Sequence, residues 1–292
     1  MNEITKRCVV VTGASSGIGF ACVEALIRAG FFVFGSVRRQ KDANRLQQKF
    51  GAAFAPLIFD VTKPDEIAAA AEALDARLGG ATLAGLVNNA GVALPGPLLH
   101  QPLDEFRRQF EINLFGQLQV IQSFAAFLGA DRNRRGAPGR IVNMSSVAGK
   151  SAMPYLGAYA ASKHALEGFS DALRRELMLY GIDVIVIEPG VIATPIWDKA
   201  EHASLDRYYA TPYGEGARRV QKYALERGRK GAPPELVARA VLRALTDRRP
   251  PTRMVVVARP MLDWRLPRLL PERLVDRLIA KRLGFLSFKK QS

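Results

Sequence analysis

Short runs that are apolar at every position alternate along this chain with longer stretches in which apolar residues recur every three or four places. Cys8-Val9-Val10-Val11-Thr12 is the first run, β-branched and continuously apolar, the pattern of a strand buried on both faces. Phe31–Val37, Ala55–Val61, Leu83–Val87, Arg140–Met144, Ile182–Ile187 and Arg253–Ala258 repeat it. Helical spacing fills the intervals. Cys22, Val23, Leu26 and Ile27 lead to a stop at Gly30. Lys63-Pro64-Asp65-Glu66 opens a helix to Leu78, with proline and acids in its first turn. One long helix is predicted from Pro102 through Phe106, Phe110, Ile112, Leu114 and Leu118 to Leu128, another over Tyr155–Tyr180, and a third from Pro233 through Leu245. Such alternation predicts α/β architecture around a single doubly wound parallel sheet, with right-handed crossovers placing the strand ends along one edge.

The remainder is irregular. Residues 196 to about 231 hold Tyr208, Tyr209, Tyr213 and Tyr223 and read as a helical lid or as an ordinary surface insertion. From Pro260 onward, proline breaks separate short amphipathic pieces. The expected organisation is therefore one domain over residues 1–258, with a lid at 195–232, and a basic amphipathic extension at 259–292.

Charge sharpens this division. The formal net charge is +15, and residues 201–292 hold 21 Lys/Arg against 9 Asp/Glu. A basic end suits an acidic surface, anionic lipid or a phosphate-bearing ligand, and equally a plain solvated face. Nucleic acid is disfavoured, since no recognition module accompanies the charge. Leu274, Val275, Leu278 and Ile279 form one helix stripe among Arg273, Arg277, Lys281 and Arg282, with Trp264, Leu266, Leu269, Leu270, Phe285, Leu286 and Phe288 adding apolar surface. The stripe suits peripheral membrane contact, packing on its own domain, or a second subunit. Cys8 and Cys22 make no disulfide framework and suit a reducing, cytoplasmic setting. Three histidines without ligand-like spacing predict no metal site. Met1–Arg7 is polar, unlike a signal peptide, and no apolar run reaches the ~18 residues of a spanning helix.

Candidate chemistry begins at Gly13-Ala14-Ser15-Ser16-Gly17-Ile18-Gly19, between the first strand and its helix. A glycine turn there exposes helix N-terminal amides to a pyrophosphate and lets backbone approach closely. Alone it fits a tight strand–helix connection equally well. Near the end of the second strand Ser36 stands where an acid would accept from a free ribose 2′-hydroxyl; Arg38 and Arg39 follow, which favours a 2′-phosphate. Asn88-Asn89-Ala90-Gly91 ends the fourth strand, to tie loops or face a ligand. Asn113, inside a predicted helix, is expected to face solvent. Tyr159 and Lys163 are i and i+4 on one helix face, so the ammonium is expected to lower the phenol's pKa and fit it for proton exchange. Ser146, at a strand end, stands ready to donate to the same oxygen.

Thr12-Gly13-x-x-x-Gly17-Ile18-Gly19, Asp60-Val61, Asn88-Asn89-Ala90-Gly91, Asn113, Ser146 with Tyr159 and Lys163, and Pro189-Gly190 with Thr194 occur in one order over residues 8 to about 195. In these motifs the chain resembles the single-domain short-chain dehydrogenase/reductases, whose fold is of Rossmann type. The resemblance implies Tyr159 as general acid/base, Lys163 tuning it and binding the nicotinamide ribose, and Ser146 orienting the substrate oxygen, in preference to Ser145. It implies Asn113 as the helix-kink residue supporting a proton-relay water. It implies a dinucleotide held by Gly13, Ser15, Gly17, Ile18 and Gly19 at the pyrophosphate, Arg38 and Arg39 at the ribose, and Asp60 and Val61 at the adenine. Asn89, Ala90, Gly91, Pro189, Gly190 and Thr194 would line the nicotinamide side. Ser16 departs from the basic residue many NADP-using members carry, so NADP is expected with NAD left open. The run Leu270-Pro271-Glu272-Arg273-Leu274-Val275-Asp276-Arg277 is similar to tails of steroid and retinol dehydrogenases, which implies a small lipophilic alcohol or ketone substrate. Met153 and Tyr155 are candidate substrate contacts, and a homodimer or homotetramer is implied. The competing readings are an NAD-linked dehydrogenase of another alcohol class, a non-catalytic dinucleotide sensor, and a nucleotide-sugar epimerase, against which the glycine spacing counts.

Overall fold

The computed structural model describes residues 7–195 and 205–285; part of the expected lid, and Leu286 and Phe288 of the tail, lie outside them. Seven strands form one parallel sheet in the order β3-β2-β1-β4-β5-β6-β7. They are β1 Cys8–Val11, β2 Phe32–Val37, β3 Phe54–Ile58, β4 Gly85–Asn88, β5 Arg140–Met144, β6 Asp183–Pro189 and β7 Arg253–Val256. Every residue of β1, β2 and β4 is buried, because helices cover both faces, and so these runs are almost wholly apolar, Ser36 and Asn88 at the C-terminal ends being the polar exceptions. Strand order reverses between β1 and β4, which opens the crevice of a doubly wound sheet at their C-terminal ends.

Two apolar cores, one per face, hold the sheet. Helices α1 (Gly17–Arg28), α2 (Gln40–Phe50) and α8 (Pro234–Thr246) bury Cys22, Leu26, Leu46, Val237 and Val241 on one side. Helices α3 (Pro64–Leu78), α5 (Gly116–Phe124) and α6 (Gly157–Glu176) bury Leu74, Phe124 and Leu173 on the other. α2 has no counterpart in the sequence expectation. Only Ala43 and Leu46 of its eleven residues are buried, so its apolar period is two points long.

The long helix expected over Pro102–Leu128 is interrupted. α4 (Leu103–Phe110) gives way to one π-helical turn, Glu111–Phe115, before α5, and Asn113 lies in that turn. Beyond β6, α7 (Gly214–Arg229) makes the lid region helical, and after β7 come the short α9 (Leu266–Leu269) and α10 (Glu272–Leu283). The expected tail stripe is split between two faces. Leu283 is buried and Ile279 packs beside it against Tyr155, Tyr208 and Ala217, while Leu274 and Leu278 face outward. No helix among the described residues is long and apolar enough to cross a membrane.

Gly35 shows how tightly β2 is covered: an added methyl would lie 2.9 Å from the Ala14 Cβ and overlap the buried Phe54 ring. Gly35→Ala should therefore destabilise the fold by about 1–3 kcal/mol through overpacking, measured by denaturant unfolding. An unchanged midpoint would contradict this packing.

Candidate active site

The crevice begins with hydrogen bonds that join β1 to β4. The Thr12 hydroxyl accepts from the N–H groups of Asn89 and Ala90, both at 2.9 Å, and the Asn89 amide donates to the Thr12 carbonyl at 3.0 Å. Asn88 donates to Asn143 on β5 at 3.0 Å, and Asn143 to Ser170 on α6 at 2.9 Å. The tying role is thus the one both asparagines fill here. Next to them the glycine turn runs close to its neighbours. Gly13 and Gly17 have φ of +66° and +57°, in the left-handed region. A Cβ on Gly19 would overlap the Gly13 carbonyl and lie 2.6 Å from the Asn89 amide. Ser15 and Ile18 belong to the same turn, and Thr194 reaches it from beyond β6, 3.3 Å from where a Gly17 Cβ would be.

At the outer end of β2, Ser36 is buried and its hydroxyl accepts from the Gly13 N–H at 3.2 Å. It braces the turn rather than standing open. Arg38 lies 3.8 Å from Asp60, Arg39 is held by Asp42 at 3.0 Å, and Arg45 donates to the Ser15 carbonyl at 2.6 Å. Three guanidinium groups therefore flank the ribose end of the crevice. Arg45 escaped the sequence reading because α2 did; the pair Ala43 and Leu46, three apart, was the available signal. Burial alone would raise the Asp60 carboxyl, but the N–H and hydroxyl of Thr62, with Arg38 and Arg108 nearby, hold it below its ordinary value. Val61 packs beneath the start of α5, so close that a Cβ at Gly116 would lie 2.8 Å from it.

The other end gathers the proposed reacting groups. Ser146 caps a short turn, accepting from the Ala148 N–H at 3.1 Å, and donates to the Pro189 carbonyl at 3.3 Å; it also lies close enough to the Tyr159 phenol to favour the ionised form. Ser145 is also buried, but its hydroxyl has no partner among the described residues. Lys163 is buried and spends one of its three N–H donors on the Met144 carbonyl, 2.8 Å away. Its ammonium is 5.9 Å from the Tyr159 ring centre. Asn113 is fully buried, against the solvent-facing expectation: its amide carbonyl accepts from the Val92 N–H at 2.8 Å and its NH₂ donates to Val92 O and Ser162 Oγ. A Cβ at Gly91 would stand 3.2 Å from Asn113 Oδ1 and 3.8 Å from Lys163 Nζ. Gly190 continues from Pro189, donating to the Val256 carbonyl at 2.9 Å.

The electrostatics differ from the expectation in one respect. Burial pushes the Tyr159 phenol up, and the nearby Ser146 hydroxyl is the one opposing effect. Lys163 does not lower it, because its ammonium is turned to Met144 and is itself pushed down to about 8 by burial, with Glu167 partly opposing. Tyr155, an expected substrate contact, is buried and turned away: its hydroxyl donates to the Tyr213 carbonyl at 2.7 Å, and its backbone is left-handed at φ +66°. Met153 remains exposed.

The cleft fits a dinucleotide on its own geometry. Left-handed Gly13 and Gly17 put no Cβ at two points of the turn, guanidinium groups stand at one end, and a buried ammonium with unspent donors stands at the other.

The Lys163 proton has a measurable signature. Between about 8 and 10.5 the unfolded chain keeps a proton that the folded chain has released, so stability should rise with pH across that window. Relative to Lys163→Met, the native chain should gain roughly 2–3 kcal/mol between those pH values in denaturant titrations. A constant difference would contradict the buried ammonium.

A family model described as short chain dehydrogenase matches residues 7–204. An NADPH-dependent 3-dehydrocapnine reductase of Ornithobacterium rhinotracheale is 40% identical over 277 residues, covering 95% of this chain and 97% of its own length. Retinol dehydrogenase 16 of Mus musculus is 35% identical over 205 residues, 70% of this chain and 62% of its own. The crystal structure of a short-chain dehydrogenase from Streptomyces avermitilis superposes with a TM-score of 0.73 at 26% identity, covering 98% of each chain.

Proposed function

The chain belongs to the short-chain dehydrogenase family, a nicotinamide-dependent oxidoreductase, and from that premise we propose that it reduces a lipophilic ketone to a secondary alcohol with NADPH. The observation that carries this reading is the gathering of Ser146, the Tyr159 phenol and the buried Lys163 ammonium, the last 5.9 Å from the Tyr159 ring centre. The bound dinucleotide would supply the hydride. Gly13, Ser15, Gly17, Ile18 and Gly19 would hold its pyrophosphate, and Lys163 its nicotinamide ribose through unspent N–H donors, with Thr194, Pro189, Gly190, Asn89, Ala90 and Gly91 around the ring.

The protein's part is proton delivery and orientation. A phenol raised by burial is neutral at physiological pH, so Tyr159 arrives with a proton to donate to the carbonyl oxygen as negative charge builds there. Ser146, whose bond to Pro189 is long at 3.3 Å, would turn to donate to the same oxygen. Asn113 would hold the Val92 segment at the site's edge, with the π turn free to support a relay water.

NADPH is favoured over NADH by Arg38, Arg39 and Arg45, which would meet a 2′-phosphate, and by the named cofactor of the 40%-identical relative. Lipophilic substrate is supported by the apolar rim at the start of α6, where Leu98 packs over Gly157 and Leu99 and Met153 are exposed. The named substrates of both relatives, 3-dehydrocapnine and retinol, are consistent with that choice of class. Pairing of copies as a homodimer or homotetramer is part of the same proposal, and β7 stands at one edge of the sheet.

Tyr159→Phe should cut NADPH oxidation with a hydrophobic ketone panel by about 10²–10⁴-fold while leaving dinucleotide affinity near native. Near-native turnover would remove Tyr159 from the chemistry, and native binding without any turnover in the unmodified protein would favour a sensor. Arg38→Ala with Arg45→Ala should raise the KM for NADPH by about tenfold or more and leave that for NADH little changed; equal effects on both would point to loss of fold instead.

A further inference from the structure

Fourteen large apolar side chains are exposed among the described residues, and six of them fall between residues 261 and 278: Met261, Leu262, Leu266, Leu269, Leu274 and Leu278. Isolated exposed leucines need no explanation; a cluster of this density does. The same segment is strongly cationic. Residues 259–282 contain seven Lys/Arg and three Asp/Glu.

Its acids are turned away from the apolar face. Asp263 is held by Arg227 at 3.1 Å and Arg259 at 3.0 Å. On α10, at 100° per residue, Glu272 and Asp276 each lie roughly 160° around the helix from Leu274, whereas Leu278, Arg277 and Lys281 lie within roughly 60° of it. Arg273, Arg277 and Lys281 have no ion-pair partner among the described residues. The outward face thus carries leucines and unneutralised cations together.

The inward face is firmly seated, so the outward one is presented in a fixed orientation. Leu283 is buried with Ile279 beside it, and the Arg282 guanidinium stacks 3.9 Å from the centre of the Tyr223 ring. Phe285 lies 6.2 Å from both Tyr155 and Tyr213, ring centre to ring centre.

We infer that the outer face of residues 261–281 docks on an anionic phospholipid bilayer, with the leucines and Met261 entering the headgroup boundary and Arg277 and Lys281 meeting lipid phosphates. Charge decides against the other occupant. A two-fold contact through this face would set its cations against the same set of cations on a second copy, with Glu272 and Asp276 on the opposite side of α10 and unable to pair them. The inference goes beyond the catalytic proposal and would deliver the protein to the phase in which a lipophilic ketone dissolves.

The test is co-sedimentation of the full chain with phosphatidylglycerol–phosphatidylcholine vesicles and with phosphatidylcholine alone. Binding to the mixed vesicles, absent from the neutral ones and lost at about 1 M salt, is expected. Arg277→Glu and Lys281→Glu combined should weaken it by about twenty-five-fold or more, at about fivefold for each charge removed and more for each reversed. The milder Arg277→Gln with Lys281→Gln should give an intermediate loss, and Leu266→Ser with Leu269→Ser should also weaken binding. NADPH oxidation with a water-soluble ketone, read on the same samples, should be unchanged in all of them. Native protein left in the supernatant, equal binding to neutral vesicles, or charge-reversed protein that binds as well as native overturns the inference. So does a dimer, seen by light scattering, that Leu274→Ser with Leu278→Ser dissociates and that excludes vesicles. Vesicle binding by protein inactive on every ketone would sink the catalytic proposal and leave this one standing.

Discussion

The side-chain amide of Asn113 is the contact on which the site's geometry hangs. It hydrogen-bonds Val92 through both its oxygen and its nitrogen and reaches Ser162 as well, so one planar group fixes the segment after β4, the break between α4 and α5, and the first turns of α6. Gln109, four residues earlier and also fully buried, accepts from the Leu94 N–H at 3.0 Å and continues the clamp. Tyr159 and Lys163 flank Ser162 on α6, so their placement depends on this anchor. A buried amide left unpaired costs more than a neutral bond gains, which makes the arrangement all-or-none.

Strands were the most legible part of the chain, for a physical reason. Strand centres sandwiched between helical layers are apolar at successive positions, as in Val9-Val10-Val11 and Ile185-Val186-Ile187. The glycine turn and the Ser146, Tyr159, Lys163 set were legible because their spacing repeats a family pattern. What escaped depended on partners distant in sequence. α2 buries too little to show a period, so Arg45 was invisible. Asn113 looks like a poor helix residue until Val92, twenty-one positions earlier, supplies its hydrogen bonds. The tail stripe looked like one face because spacing alone cannot say which leucines meet Tyr155 and which meet water.

Burial, rather than pairing, governs the ionisation of the site. It keeps the Tyr159 phenol protonated and draws Lys163 towards neutrality, with Glu167 as the counterweight. Glu167 is itself buried and shared between Lys150 at 3.2 Å and Arg253 at 2.9 Å, and Arg253 also holds Asp171 at 2.8 Å. This charged lattice ties the edge strand β7 to α6 and fixes the helix that carries both Tyr159 and Lys163.

Tyr155 stands four residues before Tyr159, in a left-handed conformation that costs an ordinary side chain about 1–2 kcal/mol. Its compensation comes from the Tyr213 carbonyl and from Phe285, 130 positions further along the chain. During synthesis from the N-terminus, the sheet and the dinucleotide crevice can assemble from residues already made. The loop bearing Tyr155 cannot receive its last partner until the ribosome has translated Phe285. The turn just ahead of α6 is therefore held by a contact that can form only late in synthesis.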